Sequence, residues 1–190
     1  MKHITFFSIV FLFVLTGCME KEITKMDVEM FNTSGDSLGT IKVSEQSEGV
    51  ELDVMLEGLP DGELGIHIHE KGTCEAPEFK SAGNHFNPDE KQHGLLHPEG
   101  AHAGDLPNII SENGKAEATL MAPQLTLKAD KKNSLLRQEG TSIVITDGKD
   151  DGMTQPAGNS GQRIACGEIT EKEAERSDKK EVKPEEEEQK

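Results

Sequence analysis

Five of the seven histidines in the chain, His67, His69, His85, His93 and His102, fall with Asp105 inside one stretch between Gly65 and Leu106. Imidazole nitrogen and carboxylate oxygen are the donors that zinc and copper take, and the stretch holds enough of them for a pair of adjacent metal ions. His85, His93, His102 and Asp105 supply three imidazoles and one carboxylate across a loop. That is a full tetrahedral set suited to zinc, with no position left for substrate, as in a structural site. His67 and His69 stand two residues apart. In a strand such residues project to the same face, so both rings would meet one ion while Ile66 and Ile68 turn to the opposite, core side. An isolated H-x-H is more often a surface pair. The neighbouring donors favour the metal reading here.

Short strands must position these donors. Residues 26–32, 38–43, 50–56 and 65–70 alternate apolar and polar side chains, separated by S-G-D, S-E-G and P-D-G turn signals. From 71 to 113 the alternation stops, and Gly, Pro, Asn and His dominate. A loop of that length in a compact domain is usually functional or disordered, and the clustered donors favour a loop folded around metal. Strand signals return at 115–121, 125–129, 142–146 and 163–169, with a second irregular loop, 147–162, before the last strand. About eight strands without an amphipathic helix predict an all-β fold, an eight-stranded Greek-key barrel or sandwich.

At 190 residues and 33% hydrophobic, the chain suits one domain with tails. It contains no Trp or Tyr, and Phe6, Phe7, Phe11 and Phe13 lie near its start, so the core must be built from Val, Ile, Leu and Met. The net charge of −16 argues against nucleic acid and against a polybasic membrane contact as partners. Residues 170–190, with E-E-E-E at 185–188, read as a charged, disordered tail.

The first 18 residues read as an export signal: Lys2, an apolar run from 4 to 15, then L-T-G-C. The run is short for a membrane span. A small residue before a cysteine at this place resembles a bacterial lipoprotein box, which would make Cys18 the lipidated first residue of an extracytoplasmic protein anchored to a membrane. Residues 19–24 would then be a tether, and 25–169 the folded domain. His3 belongs to the signal.

Four words, G-I-H-I-H at 65–69, N-H-F-N-P at 84–88, H-A-G-D-L-P at 102–107 and G-x-R-I-A-C-G at 161–167, resemble the copper/zinc superoxide dismutase family. The resemblance covers roughly residues 26–169. It implies an enzyme that converts superoxide to oxygen and hydrogen peroxide, with zinc held by His85, His93, His102 and Asp105. Copper would be held by His67, His69 and His85, the last bridging both metals as an imidazolate and relaying a proton. Arg163 would orient the superoxide anion. Asp150, first of a D-D pair, would hydrogen-bond ligands of both metals. Cys74 and Cys166 resemble the family disulfide tying the metal loop to the last strand, and with Cys18 lipidated in an oxidising compartment they are the remaining pair. Such a crosslink could contribute about 4–5 kcal/mol in the chain-entropy picture. His97 has no counterpart in the pattern and reads as an exposed loop residue. No sequence feature identifies a dimer face.

The pattern breaks at Thr146. The family carries its fourth copper histidine four residues before the D-D pair, where this chain reads S-I-V-I-T-D-G-K-D-D. A neutral hydroxyl is a hard, weak donor for copper. Water, Asp147, His97 or Met153 could fill the place, and no histidine follows His102. The expectation is a weak or incomplete copper site with impaired dismutation. The alternative is a non-catalytic envelope lipoprotein that binds zinc and buffers copper.

Overall fold

The computed structural model of the protein describes residues 22–137 and 139–181. Cys18 and the rest of the export signal lie outside them, as do residues 182–190 of the tail. Among the described residues no helix is long and apolar enough to cross a membrane.

Nine strands form one antiparallel sheet: β1 (Lys25–Asn32), β2 (Ser37–Gln46), β3 (Gly49–Glu57), β4 (Gly62–Leu64), β5 (Ile66–His69), β6 (Ile109–Glu112), β7 (Lys115–Ala122), β8 (Thr141–Thr146) and β9 (Arg163–Ile169). Their spatial order is β4-β6-β7-β3-β2-β1-β9-β8-β5. The two end strands of that order, β4 and β5, are consecutive in the chain and separated only by Gly65, so the sheet curls into a nearly closed barrel. Gly65 itself supplies the joint: its N–H donates to Gly148 O at 2.8 Å and its carbonyl accepts from Thr146 N at 2.9 Å.

Alternation sets the inside. Val28 and Met30 of β1, Ile41 of β2, Leu52 of β3, Ile68 of β5 and Ile143 of β8 are fully or almost fully buried in one aliphatic core. On β8 and β9, Val144 and Cys166 instead join Phe79 and Ala82 in a second, smaller cluster under the metal loop. The β5–β8 register sets His67 opposite Val144 and His69 opposite Ser142, so both imidazoles lie on that loop-covered side of the barrel wall.

The all-β barrel expected from the sequence is present, with nine strand segments among the described residues where about eight were read. β4 is a separate piece because Gly65 breaks the run, and β6 lies inside the stretch read as loop. Residues 125–129 do not form a strand. Leu125 and Leu127 are buried there, but the polar groups are met by a side chain: Glu45 accepts Thr126 Oγ1 at 2.7 Å and Leu127 N at 2.6 Å.

The tail reading is also corrected in part, because Glu171–Glu181 form a helix, α1. Thr170 caps it, its hydroxyl accepting from Glu173 N at 3.2 Å in a T-x-x-E arrangement. Ala174 is buried in the core, and Ser177 Oγ accepts the Asp27 N–H at 2.9 Å. β1 pairs with β9 only at Phe31–Cys166 and Asn32–Ala165, and α1 packs along the rest of that β1 edge. Of the supposed tether, Ile23 packs on the core and the Thr24 carbonyl accepts from Glu45 N.

Candidate metal centre

The loop between β5 and β6 returns twice to the free edge of β5. Phe86 N donates to Ile68 O at 2.8 Å, Ile68 N to Gly104 O at 2.9 Å, and Gly104 N to Phe86 O at 2.9 Å. Isolated bridges pair His69 with His85 and His67 with Asp105. Gly104 is required at this crossing, since a Cβ there would lie 2.3 Å from the Ile68 carbonyl oxygen. The backbone thus brings donors from three chain segments side by side. The His67 and His85 rings stack with centroids 4.0 Å apart and planes inclined at 25°.

Three imidazoles converge on one carboxylate oxygen. Asp105 Oδ1 lies 2.9 Å from His85 Nδ1, 3.0 Å from His93 Nδ1 and 3.3 Å from His102 Nδ1. Asp105 Oδ2 points the other way and accepts Gly94 N at 2.8 Å and His102 N at 2.9 Å. Zinc bonds of 2.0–2.1 Å put tetrahedral donors about 3.3 Å apart, so this set is nearly at the spacing the ion needs. All four donor atoms lie within 4.8 Å of one another. His102 Nδ1 is buried and, although 3.3 Å from Asp105 Oδ1, is not aligned for a hydrogen bond, so a metal would satisfy it.

Beside it lies a second set. His69 Nδ1 is tied to Gly83 O at 3.0 Å, which leaves its Nε2 as the donor. His67 Nε2 is tied to Asp150 Oδ2 at 2.7 Å, which leaves its Nδ1, buried and without a hydrogen bond, as the other. His85 stands between the two sets, with Nδ1 on the Asp105 side. These residues fit the copper trio expected from the sequence.

Asp150 binds the sets together. Its Oδ2 takes His67 and its Oδ1 takes His93 Nε2 at 3.1 Å, so one carboxylate fixes a ring on each side. Asp150 is itself held by Asn108, which donates from Nδ2 to Asp150 O at 2.8 Å and accepts Asp150 N at 2.9 Å. Gln155 clamps the His93 backbone in the same two-handed way, at 2.9 Å in each direction. Asn108 and Gln155 are positioning residues that sequence reasoning missed. Each acts across 42 or 62 residues, and neither belongs to a local word.

Burial decides the charge state of the rings. It pushes His69 well below its ordinary value, and the neighbouring His85 and Arg163 add to the shift. Burial lowers His85 to about 4, against the pull of Asp105. Burial also disfavours the charged His93, yet Asp105 and Asp150 hold it up to about 9. Burial raises both carboxylates, but hydrogen bonds from the imidazoles and from backbone N–H groups outweigh it and hold them well below the usual range. Ionised carboxylates beside His69 and His85, whose charged forms burial disfavours, make a cradle for cations.

Thr146 is buried beside this second set. Its hydroxyl lies 3.3 Å from both Gly65 O and Gly148 O, committed to the backbone at the barrel joint. A Cβ on Gly65 would lie 2.5 Å from Thr146 Oγ1 and 3.2 Å from His67 Cε1, so position 146 borders the His67 ring across a glycine. Of the substitute donors, Asp147 Oδ1 accepts Gln162 N at 2.7 Å and His97 Nδ1 accepts Glu99 N at 3.1 Å on an exposed turn. Met153 is 45% exposed.

Arg163 is half-buried at the start of β9. It donates from Nη1 to Phe79 O and from Nη2 to Gly83 O, both at 2.7 Å. Cys74 and Cys166 form a disulfide with Cα atoms 5.7 Å apart, which holds the 74–83 segment against β9. The two acceptor carbonyls of Arg163 lie on that tied segment.

The family model for copper/zinc superoxide dismutase matches residues 37–169. The chain is 48% identical over 147 residues to superoxide dismutase [Cu-Zn] 2 of Aquifex aeolicus, covering 76% of this chain and 86% of that protein. It is 41% identical over 145 residues to superoxide dismutase-like protein YojM of Bacillus subtilis, covering 75% and 74%. A crystal structure of a SOD-like protein from Bacillus subtilis superposes with TM-score 0.73 at 40% identity, covering 76% of this chain and 97% of that chain. A family model matched over most of the chain and relatives above 40% identity show that the chain belongs to the copper/zinc superoxide dismutase family.

Proposed function

We propose that this protein is an extracytoplasmic superoxide dismutase-like metalloprotein, lipid-anchored through Cys18, with dismutation reduced by the loss of an imidazole at Thr146. The observation that carries the reading is the paired donor set: His85, His93, His102 and Asp105 for zinc, and His67, His69 and His85 for copper, joined by Asp150. Copper in that trio would supply the redox chemistry, taking an electron from one superoxide and giving one to the next.

The chain's own residues do the rest. Arg163, fixed by two carbonyls, keeps its charge although burial lowers its pKa, and it orients the incoming anion. Its field matters because a chain of net charge −16 repels superoxide at long range. His85 has its Nδ1 on the Asp105 side, so with zinc held there its other ring nitrogen would be the one able to hold a proton on the copper side. Asp150 fixes which nitrogen of His67 and His93 faces the metals. With two unshared imidazoles and one shared, the copper set is one short of the family pattern, and that lowers both retention of the ion and turnover.

A second reading, a non-catalytic protein that binds zinc and buffers copper in the envelope, is favoured by the commitment of the Thr146 hydroxyl to Gly65 and Gly148. Metal analysis of protein from its own compartment, with a dismutation assay on the same sample reconstituted with copper and zinc, separates the two. The first predicts a slow rate that rises in Thr146→His. Full turnover with no gain in that variant would overturn the impairment, and no turnover in fully loaded protein would favour the second reading.

A further inference from the structure

The Cys74–Cys166 disulfide floors a cleft of about 310 Å3 that also has α1 as one wall. The two sulfurs are not equally placed. Cys166 is fully buried against Phe79, Ala82 and Val144, whereas Cys74 is partly exposed. Among the described residues, the cleft is lined by three carboxylates, Glu29 of β1, Glu168 of β9 and Glu173 of α1, and by one guanidinium, Arg176. Glu168 sits closest to the bond's backbone, accepting Cys74 N at 2.9 Å. Arg176 is turned onto Glu173, with Nη1 at 2.8 and 3.1 Å from its two oxygens. The approach to the disulfide is therefore net negative, in a chain that is strongly acidic overall.

We propose that α1 and these carboxylates form a charge-selective guard over the disulfide, admitting neutral or cationic small thiols and turning away anionic ones. In the step that is guarded, a thiolate RS⁻ attacks the sulfur of the partly exposed Cys74, an RS–S(Cys74) bond forms, and the S–S bond breaks to release the Cys166 thiolate. A second thiolate then attacks the mixed disulfide, giving RS–SR and the Cys74 thiolate. Two electrons pass from the two thiols to the protein, and the protein thiolates take up protons from water. Two features slow the step. Glu168, beside the bond, raises the energy of an approaching anion while Glu173 holds Arg176 away from it, and the leaving Cys166 thiolate would form in apolar surroundings that disfavour its charge. Ala174 and Ser177 hold α1 in place as the guard's wall through their contacts with the core and with β1. Loss of the bond would release the 74–83 segment that carries both acceptors of Arg163.

The test is the rate of disulfide reduction in the folded full chain by cysteamine and by 2-mercaptoethanesulfonate, each expressed per thiolate and each divided by its rate with a small neutral disulfide. Quenched samples are mapped by mass spectrometry. At low salt the normalised cysteamine rate should exceed that of the sulfonate by on the order of tenfold, narrowing in 1 M salt. The Glu168→Gln/Glu173→Gln variant should shrink the ratio. Ala174→Asp, with α1 loss followed by circular dichroism, should speed both reagents and shrink it too. The mixed disulfide should map to Cys74. Equal normalised rates at low salt, a ratio unmoved by the double variant, rates unmoved when α1 is lost, or capture on Cys166 would each overturn the guard. So would a folded protein that neither thiol reduces.

Discussion

Arg163 and His69 are tied to the same atom: the Gly83 carbonyl accepts Arg163 Nη2 at 2.7 Å and His69 Nδ1 at 3.0 Å. The group that would orient the anion and a ring that would hold copper therefore share one support, and that support lies on the segment fastened by Cys74. A shift of this carbonyl moves both. The arrangement explains how a loop with little regular structure can hold its part of the site in place.

Arg163→Lys tests the shared support. A lysine ammonium is a point charge on a flexible stem and cannot span the Phe79 and Gly83 carbonyls as a planar fork does. We expect kcat/KM for superoxide, compared at equal copper loading, to fall by about tenfold. Equal catalytic efficiency at equal metal loading would show that charge alone suffices.

Thr146→His restores an imidazole beside His67. Copper should be retained at least about tenfold more tightly in competition with a chelator, since imidazole replaces a hydroxyl that copper scarcely uses. Electron paramagnetic resonance of the cupric protein should show an added nitrogen. An unchanged spectrum and affinity would mean that the new ring does not reach the ion.

Asp150→Ala removes the carboxylate that fixes His67 and His93 together. Residues that orient metal ligands in this way typically contribute 10–100-fold to metal affinity, and here both metals should weaken in one variant. Loss of copper affinity with zinc affinity intact would argue against the bridge.

Zinc should act as a folding ligand. If zinc is present at about a hundred times its dissociation constant, it stabilises by about 2.7 kcal/mol, and chelation should lower Tm by about 5–10 °C for a domain of this size. Asp105→Asn should show a much smaller change on chelation, because the removed charge faces all three imidazoles of the set.

Replacing both Cys74 and Cys166 by serine should cost up to about 4–5 kcal/mol, read from the urea midpoint at constant slope, because the bond spans 92 residues. Zinc binding should survive, since none of its donors lies in the tied segment. A midpoint within error of the parent would show that the rest of the barrel already holds the loop.

Much of this site was legible in the sequence because its donors sit in short words. H-x-H in a strand fixes two rings by alternation alone, and the structure places His67 and His69 as that rule requires. The all-β class followed from alternation too. What was not legible depends on long separations. Asn108 supports Asp150 and Gln155 supports His93 through paired backbone hydrogen bonds, and amide side chains at such distances carry no local signature. The segment 125–129 has strand-like composition, but Glu45 takes the Leu127 N–H while Leu125 N and Thr126 N bond within local turns, so propensity lost to these contacts. Helix α1 was hidden by charge: its hydrophobic share is small, and a cap at Thr170, a buried anchor at Ala174 and the Ser177 hydroxyl on Asp27 N dock it.

Gly65 closes the barrel through its own N–H and carbonyl, and Thr146 takes part through its main chain as much as through its hydroxyl. The joint is therefore largely indifferent to what side chain position 146 carries. A lineage could drop an imidazole there, or regain one, by a single substitution without reopening the fold. Barrel closure and the donor count at the copper set are thus separate properties of position 146, one carried by its main chain and the other by its side chain.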